Sequence, residues 1–183
     1  PSGMPDAQKL LLLQYVRENA DVILVPDVEL QTYVPEARIV QRAVDMNKLA
    51  YVGAKRKTRP KVCHAPTRRG AKGTDAVLDA VKKLQDEGVD FEFTLLEGLP
   101  HEKLLGVLGD ADIVIDQLLI GWYGVLSVEA MALGKAVIAY IRDDLVDEVP
   151  QGVLANANPL TIEDRLRELL ADHDRRVSLG KAA

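Results

Sequence analysis

Short apolar runs alternate with longer helical patterns through residues 61–173, and this alternation is what most constrains the fold. The predicted strands lie at residues 61–67, 91–98, 112–118 and 136–141, with a fifth at 152–158. The runs DIVI and AVIAYI are almost continuously apolar, which is typical of strands covered on both faces. Strands that alternate with helices in short succession form a parallel sheet between two helix layers. The sequence therefore predicts a Rossmann-like three-layer α/β/α fold with a parallel sheet.

Four helices are predicted around these strands, at residues 74–88, 100–111, 123–134 and 161–173. The first has its apolar residues at the three-and-four spacing of a helix stripe, namely Val77, Leu78, Val81 and Leu84. Gly88 and Gly134 are expected to end the first and third helices. Thr161 is expected to be the N-cap of the last, with acidic residues in the first turn, which suits the helix dipole.

The first sixty residues have a different organisation. They predict a helix at 6–19, a short strand at 21–26, a short helix at 28–35 and a second strand at 37–40, followed by a basic connector at 50–61. This segment alone is too small for its own core. Residues 1–45 are therefore interpreted as the remnant of a preceding domain with its connector, and residues 46–183 as the Rossmann-like domain.

Composition limits the possible functions. The formal charge of −5 argues against non-specific nucleic-acid binding, although a local basic segment lies between Lys55 and Lys72. The single cysteine, Cys63, excludes an intramolecular disulfide and is expected to be a small buried strand residue. No run approaches the roughly 18 apolar residues of a membrane helix, and the opening PSGMPD lacks the basic region of a signal peptide.

Three loops are expected at the carboxyl ends of the strands, where ligands bind in sheets of this kind. The first, residues 64–75, contains Arg68, Arg69 and Lys72, and Gly70 and Gly73 would allow close backbone approach. Cations beside a helix N-terminus suit a diphosphate. A solvated basic loop is the alternative, because the spacing matches neither G-x-G-x-x-G nor the P-loop pattern.

The second loop, residues 95–102, places Glu97, Gly98 and Leu99 where a nucleotide base could pack, with backbone groups at its edge. His101 begins the next helix and is interpreted as a surface histidine near the helix start. In the third loop, residues 116–134, the chain enters a helix at Tyr123 or Gly124 and would again offer backbone N–H groups to phosphate.

Glu129 stands inside the third predicted helix among apolar neighbours. A carboxylate in such surroundings is costly to bury unless it has a partner. A hydroxyl-rich ligand such as ribose would supply one; the alternative is that Glu129 points to the solvated side of the helix.

No metal site or other cofactor is predicted. His64, His101 and His173 are widely separated in sequence, and one cysteine does not make a zinc site. The acidic residues between Asp143 and Glu148 are interpreted as a solvated loop rather than a cation site.

Three segments resemble the retaining glycosyltransferases of the GT-B fold known as the group 1 family. GWYGVLSVEAMALGKAVIAY (121–140) is similar to the family's Gly-aromatic-Gly loop, Glu-Ala-Met-Ala-x-Gly helix and valine-rich strand. RRGAKGTDAVLDAV (68–81) is similar to its arginine–lysine loop, and residues 20–45 are similar to the last strand and helix of its other domain. The resemblance spans most of the chain and implies the C-terminal, donor-binding half of the GT-B architecture.

The resemblance implies roles for individual residues. Glu129 would bind the ribose of a nucleotide-diphosphate sugar, and Lys72 with Arg68 or Arg69 would bind the diphosphate. The backbone at Tyr123–Gly124, with Val125 beside it, would contact the distal phosphate. Lys72, Arg69 and Glu129 form the implied catalytic set, and Glu97, Gly98 and Leu99 complete the implied donor site. The family commonly carries another glutamate near the sugar, eight positions before Glu129, where this chain has Gly121.

The implied reaction is transfer of a hexosyl group from a nucleotide-diphosphate sugar to a carbohydrate or small-molecule acceptor, with retention. Fixed cations and helix-end amides would stabilise charge developing on the leaving diphosphate without a metal. Acceptor contacts would come mostly from the missing N-terminal domain, so the isolated chain is expected to turn over slowly or not at all. A cytoplasmic location is implied, with any peripheral membrane attachment made through the missing domain.

Two alternative functions would be compatible with a similar sequence, and two others would require motifs that this chain lacks. A nucleotide-sugar epimerase of the same architecture, or a non-catalytic nucleotide-binding domain, would have a similar donor half. A phosphoacceptor signalling domain would need an acidic pair after the first strand, where the chain has His64, Ala65 and Pro66. A dinucleotide-dependent oxidoreductase would need the glycine fingerprint that residues 64–73 lack.

Overall fold

A computed structural model describes residues 5–183; residues 1–4, which begin the segment considered above for a signal peptide, lie outside the described residues. The chain divides into two compact units, Pro1–Arg42 and Ala43–Ala183. The division falls close to the boundary that the sequence places between residues 45 and 46. The origin of the first unit in a preceding domain stays a prediction.

Two short parallel strands organise the first unit. Its elements are α1 (Asp6–Asn19), β1 (Leu24–Val25), α2 (Val28–Gln31) and β2 (Arg38–Ile39), with β1 paired to β2. Each falls within a segment predicted from the sequence, although the strands and α2 are shorter. The side chain of Asp27 caps α2 by accepting from the Leu30 amide at 2.9 Å, and it pairs with Arg42 at 2.6 Å. Helix α1 buries none of its residues.

A five-stranded parallel sheet forms the centre of the second unit. The strands are β3 (Lys61–His64), β4 (Glu92–Leu95), β5 (Ile113–Ile115), β6 (Ala136–Ala139) and β7 (Ala155–Asn156). Their order across the sheet is β4-β3-β5-β6-β7, and every neighbouring pair is parallel. All five predicted strands are present, each inside its predicted range.

Helices connect these strands. They are α3 (Arg69–Lys72), α4 (Thr74–Asp86), α5 (His101–Asp110), α6 (Val125–Ala132), a 3₁₀ helix (Asp143–Glu148), α7 (Ile162–Ala171) and α8 (His173–Ala182). The four predicted helices correspond to α4, α5, α6 and α7. Within residues 5–183, no helix is both long enough and apolar enough to cross a membrane.

The sheet has a separate hydrophobic core on each face, because successive strand side chains point to opposite sides. On β5, Ile113 and Ile115 pack in the core with α4, α7 and α8, whereas Val114 packs in the core with α5 and α6. All three are fully buried. Cys63 packs in the second core, and its burial raises the pKa of the thiol to about 12. The predicted α/β/α layering is therefore confirmed, as is the burial of Cys63 on a strand.

Two of the α-helices were not predicted, for different physical reasons. Helix α3 is a single turn inside the first loop, and Gly73, with φ of 72°, ends it. Helix α8 has no regular apolar stripe, since its sequence is HDRRVSLGKA. The Asp172 side chain caps α8 by accepting from the Arg175 amide at 2.8 Å, and Arg176 donates to the Leu170 carbonyl at 3.1 Å near the end of α7. Tertiary contacts and caps, rather than periodicity, specify this helix.

Thr161 is the N-cap residue of α7, as expected, but without the side-chain hydrogen bond that an N-cap commonly makes. Its hydroxyl instead accepts from the Asn158 amide at 3.0 Å. A competing local turn therefore takes the hydroxyl that the sequence assigns to the cap.

Helix α8 approaches β6 through two glycines. A Cβ atom on Gly180 would overlap the carbonyl oxygen of Gly134, and Gly134 itself has φ of 76°. Gly134 is the residue expected to end the third predicted helix, and it follows α6 as that expectation requires. The close approach depends on the absence of a side chain at position 180.

We expect Gly180→Ala to lower the free energy of unfolding by about 1–3 kcal/mol, because the new methyl group forces backbone to move. Gly106→Ala is the matched control, since Gly106 lies inside α5 with nothing within 4 Å of a new Cβ. That substitution should stabilise the protein by about 0.5–1 kcal/mol. Urea unfolding of both variants measures the difference. Equal effects of the two substitutions would contradict the close packing of α8.

Candidate functional site

The three loops predicted to form a site are in mutual contact at the carboxyl edge of the sheet. Lys72 of the first loop pairs with Asp116 of the third, at 2.6 Å. Arg69 of the first pairs with Glu97 of the second. His101 of the second loop contacts Glu129 of the third, on α6. The predicted segments therefore converge, and they do so through ion pairs and hydrogen bonds between loops.

Lys72 is a mostly buried cation with two acceptors. Its ammonium lies 2.6 Å from Asp116 Oδ1 and 2.6 Å from Gln117 Oε1, and its side chain is 14% exposed. An ammonium group has three N–H donors, so these contacts leave one N–H for another partner. Lys72 is therefore neither the exposed cation of a solvated loop nor an unpaired one.

Asp116 is a buried residue of the candidate site that the sequence did not single out. It directly follows β5, is fully buried, and accepts from Lys72, from the Gly124 amide at 2.9 Å and from the Ser127 hydroxyl at 2.7 Å. One carboxylate thus joins the first loop to the start of α6. The available signal was its position: an acidic residue immediately after an apolar strand, at the edge where ligands bind.

The start of α6 differs by one residue from its expected place. The helix begins at Val125, with Gly124 as its N-cap, whereas the sequence places entry at Tyr123 or Gly124. The Gly124 amide is already bonded to Asp116, so it reaches a phosphate only if that bond is exchanged. The next amides, beginning with Val125, have no acceptor within the helix. Tyr123 is half-buried and stacks on Trp122, with ring centroids 5.0 Å apart.

Arg69 and Glu97 form a bidentate ion pair across the first and second loops. The Arg69 Nε and Nη2 atoms lie 2.8 and 2.5 Å from the two carboxylate oxygens, and both side chains are substantially exposed. The hydrogen bond from Arg69 holds the pKa of Glu97 below its usual value. Exposed pairs contribute little stability, so this pair can open at small cost.

The remaining predicted residues of the first two loops are exposed. Arg68 precedes α3 and makes no ion pair with any residue of the range 5–183. Gly98 has φ of 66°, and Leu99 is 41% exposed. Arg68, Gly98 and Leu99 are therefore all open to solvent.

Glu129 lies on the inner side of α6. It is 6% exposed, so the solvated orientation considered from the sequence is wrong. The Nε2 atom of His101 lies 2.6 Å from Glu129 Oε1. The His101 ring is largely exposed, as expected of a surface histidine, yet it also supplies the partner that the buried carboxylate needs. This contact joins α5 to α6 and was not predicted.

Gly121 has a steric explanation in this fold. A Cβ atom there would lie 2.8 Å from Arg142 Cβ, and the Arg142 amide donates to the Gly121 carbonyl at 3.0 Å. The stem of Arg142 therefore occupies the space where a side chain at position 121 would begin. A side chain at this position would require backbone movement.

Several cationic side chains that precede the first loop in sequence form ion pairs with aspartates. Lys57 pairs with Asp112 at 3.2 Å, Arg59 with Asp90 at 2.9 Å, and Lys61 with Asp110. The basic segment noted in the sequence is thus divided among carboxylates rather than presented as one positive surface.

The sequence offers two sets of possible metal ligands: the acidic residues 143–148, and the three histidines with the single cysteine. The acidic residues 143–148 form the 3₁₀ helix, not an irregular loop, and Asp144 pairs with Arg142 at 2.5 Å. Among residues 5–183, no group of three or more His, Cys, Asp or Glu side chains is arranged to hold a metal ion.

Solved structures of glycosyltransferases share this fold. A sucrose-phosphate synthase from Thermosynechococcus elongatus matches with a TM-score of 0.74 at 16% identity, over 98% of this chain and 56% of that one. HepE from Anabaena, solved with UDP-glucose, gives 0.72 at 14% identity, over 100% and 63%. The C-terminal domain of a group 1 family glycosyl transferase from Francisella tularensis gives 0.58 at 17% identity, over 76% and 94%.

These matches confirm the predicted GT-B resemblance at the level of the fold. The chain spans 56% and 63% of the two longer proteins, and 76% of this chain matches 94% of the isolated C-terminal domain. Comparison of the sequence with family models and with curated proteins finds no match.

His64 lies under the site at the end of β3 and is held in one tautomer. Its Nδ1–H donates to the Ile115 carbonyl at 2.9 Å, so Nε2 accepts from the Thr74 hydroxyl at 2.9 Å. Burial lowers the pKa of His64 below its usual value. The folded state therefore binds a proton at His64 only at a lower pH than the unfolded chain, in which a histidine binds its proton near pH 6.5.

We expect the free energy of unfolding to fall as the pH is lowered through about 6.5, because the unfolded state then binds the extra proton. One such group contributes at most about 1.4 kcal/mol per pH unit. Urea unfolding between pH 5 and 7.5 measures this slope, above the range where carboxylates titrate. His64→Gln should reduce the slope, whereas His173→Gln should leave it as in the parent. An unchanged slope in His64→Gln would rule out His64 as its source.

Proposed function

We propose that this chain is the donor-binding half of a glycosyltransferase that uses a nucleotide-diphosphate sugar. One observation carries the proposal: Lys72, the start of α6 and the buried Glu129 lie together at the carboxyl edge of the sheet. Glu129 is four residues along α6 from Val125, a rise of about 6 Å. A diphosphate at the helix N-terminus and a ribose hydroxyl at Glu129 would fit this spacing. The fold shared with glycosyltransferases supports the same function.

The proposed chemistry of this half is stabilisation of the leaving group. Cleavage of the bond between the anomeric carbon and the phosphate oxygen leaves negative charge on the nucleoside diphosphate. The third N–H of Lys72 and the first-turn amides of α6 can donate to that charge without reorganising. Arg69 can join them when its exposed pair with Glu97 opens. Such stabilisation is greatest where the charge develops, which is the condition for lowering the barrier.

Glu129 is proposed to bind ribose by exchanging its present partner. A ribose hydroxyl would donate to the carboxylate oxygen that now contacts His101. The largely exposed His101 ring can turn away at small cost, whereas Glu129 stays buried on α6. The proposed site would thereby keep its carboxylate satisfied with and without nucleotide.

The remaining parts of the proposal concern the whole enzyme. Transfer of a hexosyl group with retention, a carbohydrate or small-molecule acceptor bound by an N-terminal domain, and a cytoplasmic setting follow the group 1 resemblance. A HepE structure from Anabaena contains UDP-glucose, and we propose a donor of that chemical class for this chain. The base and the sugar are the variables that binding experiments must define.

Calorimetric titration with UDP, GDP and ADP tests the proposed donor site. We expect one of the three to bind, and Lys72→Ala and Glu129→Ala each to weaken its affinity about tenfold or more, because each removes a hydrogen bond to a charged group. Lys83→Ala is the matched control, since Lys83 pairs with Glu163 on α7. The Lys72 effect should decrease with salt more than the Glu129 effect. Binding of none of the three diphosphates, or no change in both variants, would refute the site.

The isolated chain is expected to transfer sugar slowly or not at all, because acceptor contacts are proposed to lie in another domain. Purified protein should hydrolyse or transfer from a bound donor at well below about 1 s⁻¹, the lower end of ordinary enzymatic turnover. Product formation from a radiolabelled donor measures the rate. Turnover at an ordinary enzymatic rate would show that this chain alone carries a complete site.

A further inference from the structure

Asp116 is the most heavily bonded side chain of the candidate site, and nothing in the proposed reaction uses it directly. We propose that Asp116 is the positioning residue of the diphosphate subsite: it fixes the Lys72 ammonium beside the N-terminus of α6. Through Lys72 it would determine affinity for the diphosphate and not for the nucleoside. This inference rests on the proposed function of the site.

The two carboxylate oxygens of Asp116 serve different chain segments. Oδ1 lies 2.6 Å from Lys72 Nζ, at the end of α3. Oδ2 accepts from the Gly124 amide at 2.9 Å and from the Ser127 hydroxyl at 2.7 Å, both at the start of α6. A single rigid group thus sets the distance between the cation and the helix terminus.

Lys72 has little freedom beyond this contact. Its second acceptor is Gln117 Oε1 at 2.6 Å, and the amide group of Gln117 is itself oriented by donation to the Trp122 carbonyl. A Cβ atom on Gly124 would lie 3.4 Å from Lys72 Nζ, so the ammonium lies directly against the N-cap residue of α6. The one remaining N–H of Lys72 is the donor available to a phosphate oxygen.

The charges explain why removal of Asp116 would displace Lys72. A buried ammonium is costly without a nearby anion, and Asp116, which is fully buried, supplies that anion. The helix dipole and the Gly124 amide in turn stabilise the carboxylate. Without the carboxylate, Lys72 would gain by extending its charge toward solvent, away from the proposed position of the diphosphate.

Asp112 provides an internal comparison at the opposite end of β5. It is also buried, accepts from the Lys61 amide at 2.8 Å and pairs with Lys57 at 3.2 Å. Both aspartates are therefore buried, both flank β5 and both pair with a lysine. Only Asp116 lies at the carboxyl edge of the sheet. If Asp116 had only a structural role, its substitution would affect ligand binding no more than substitution of Asp112.

The experiment compares Asp116→Asn with Asp112→Asn. The ligand is whichever of UDP, GDP and ADP binds the parent protein, measured by calorimetry, with its nucleoside measured by competition. We expect Asp116→Asn to weaken diphosphate binding about tenfold or more, and to change nucleoside affinity less than about twofold. Asp112→Asn should change neither by more than about twofold. In a Lys72→Ala background, Asp116→Asn should cause no further loss, because the two residues act as one unit.

Ser127→Ala keeps the charge of Asp116 and removes one donor to Oδ2, so it tests the same idea in a variant with a smaller structural change. We expect a diphosphate-selective loss of about two- to fivefold. Unchanged diphosphate affinity in both Asp116→Asn and Ser127→Ala, equal losses of diphosphate and nucleoside, or additive losses with Lys72→Ala would each overturn the positioning role. Absence of diphosphate binding by the parent would instead refute the proposed function itself.

Discussion

Burial of β5 on both faces is the constraint on which the rest of the second unit depends. Ile113, Val114 and Ile115 are fully buried and supply side chains to two separate cores, so the strand cannot shift by a residue without exchanging its faces. The position of the strand also determines the position of the next residue along the chain. Asp116 must then lie at the carboxyl edge, and only a cation and hydrogen-bond donors brought there by other segments can satisfy it.

The candidate site is consequently built from compensated charges. Lys72 pairs with Asp116, Arg69 with Glu97, and Glu129 contacts His101. These three contacts differ in burial. The free-energy cost of breaking each contact when a ligand binds should therefore differ as well. The exposed arginine pair opens easily, and so does the histidine contact, whereas the lysine pair is mostly buried and is better kept intact on binding. A ligand that uses the last N–H of Lys72 meets that condition.

Most of the fold could be predicted from the sequence because the strands of the second unit are short apolar runs and helices such as α4 carry an apolar stripe. The contacts of the site could not, because they join residues distant in sequence: Lys72 and Asp116 are separated by 44 positions. The sequence therefore indicated the right loops, but it did not single out Asp116 and it indicated only a surface residue at His101. Helix α8 was not predicted for the same reason, because its packing depends on residues distant in sequence. Gly180 allows the helix to approach Gly134, and no local sequence pattern indicates that contact.

The packing of Arg142 against Gly121 affects the part of the candidate site near position 121 and leaves the part proposed for the nucleotide unchanged. The Arg142 stem occupies the space of a side chain at position 121, while Lys72 stays paired with Asp116 and Glu129 stays in contact with His101. The part proposed for the nucleotide therefore does not depend on the glutamate that the group 1 pattern places near the sugar. Under the proposed function, this half would hold the donor chiefly by its nucleoside diphosphate. Contacts that select the sugar would then have to come from Arg142, from neighbouring backbone or from the other domain.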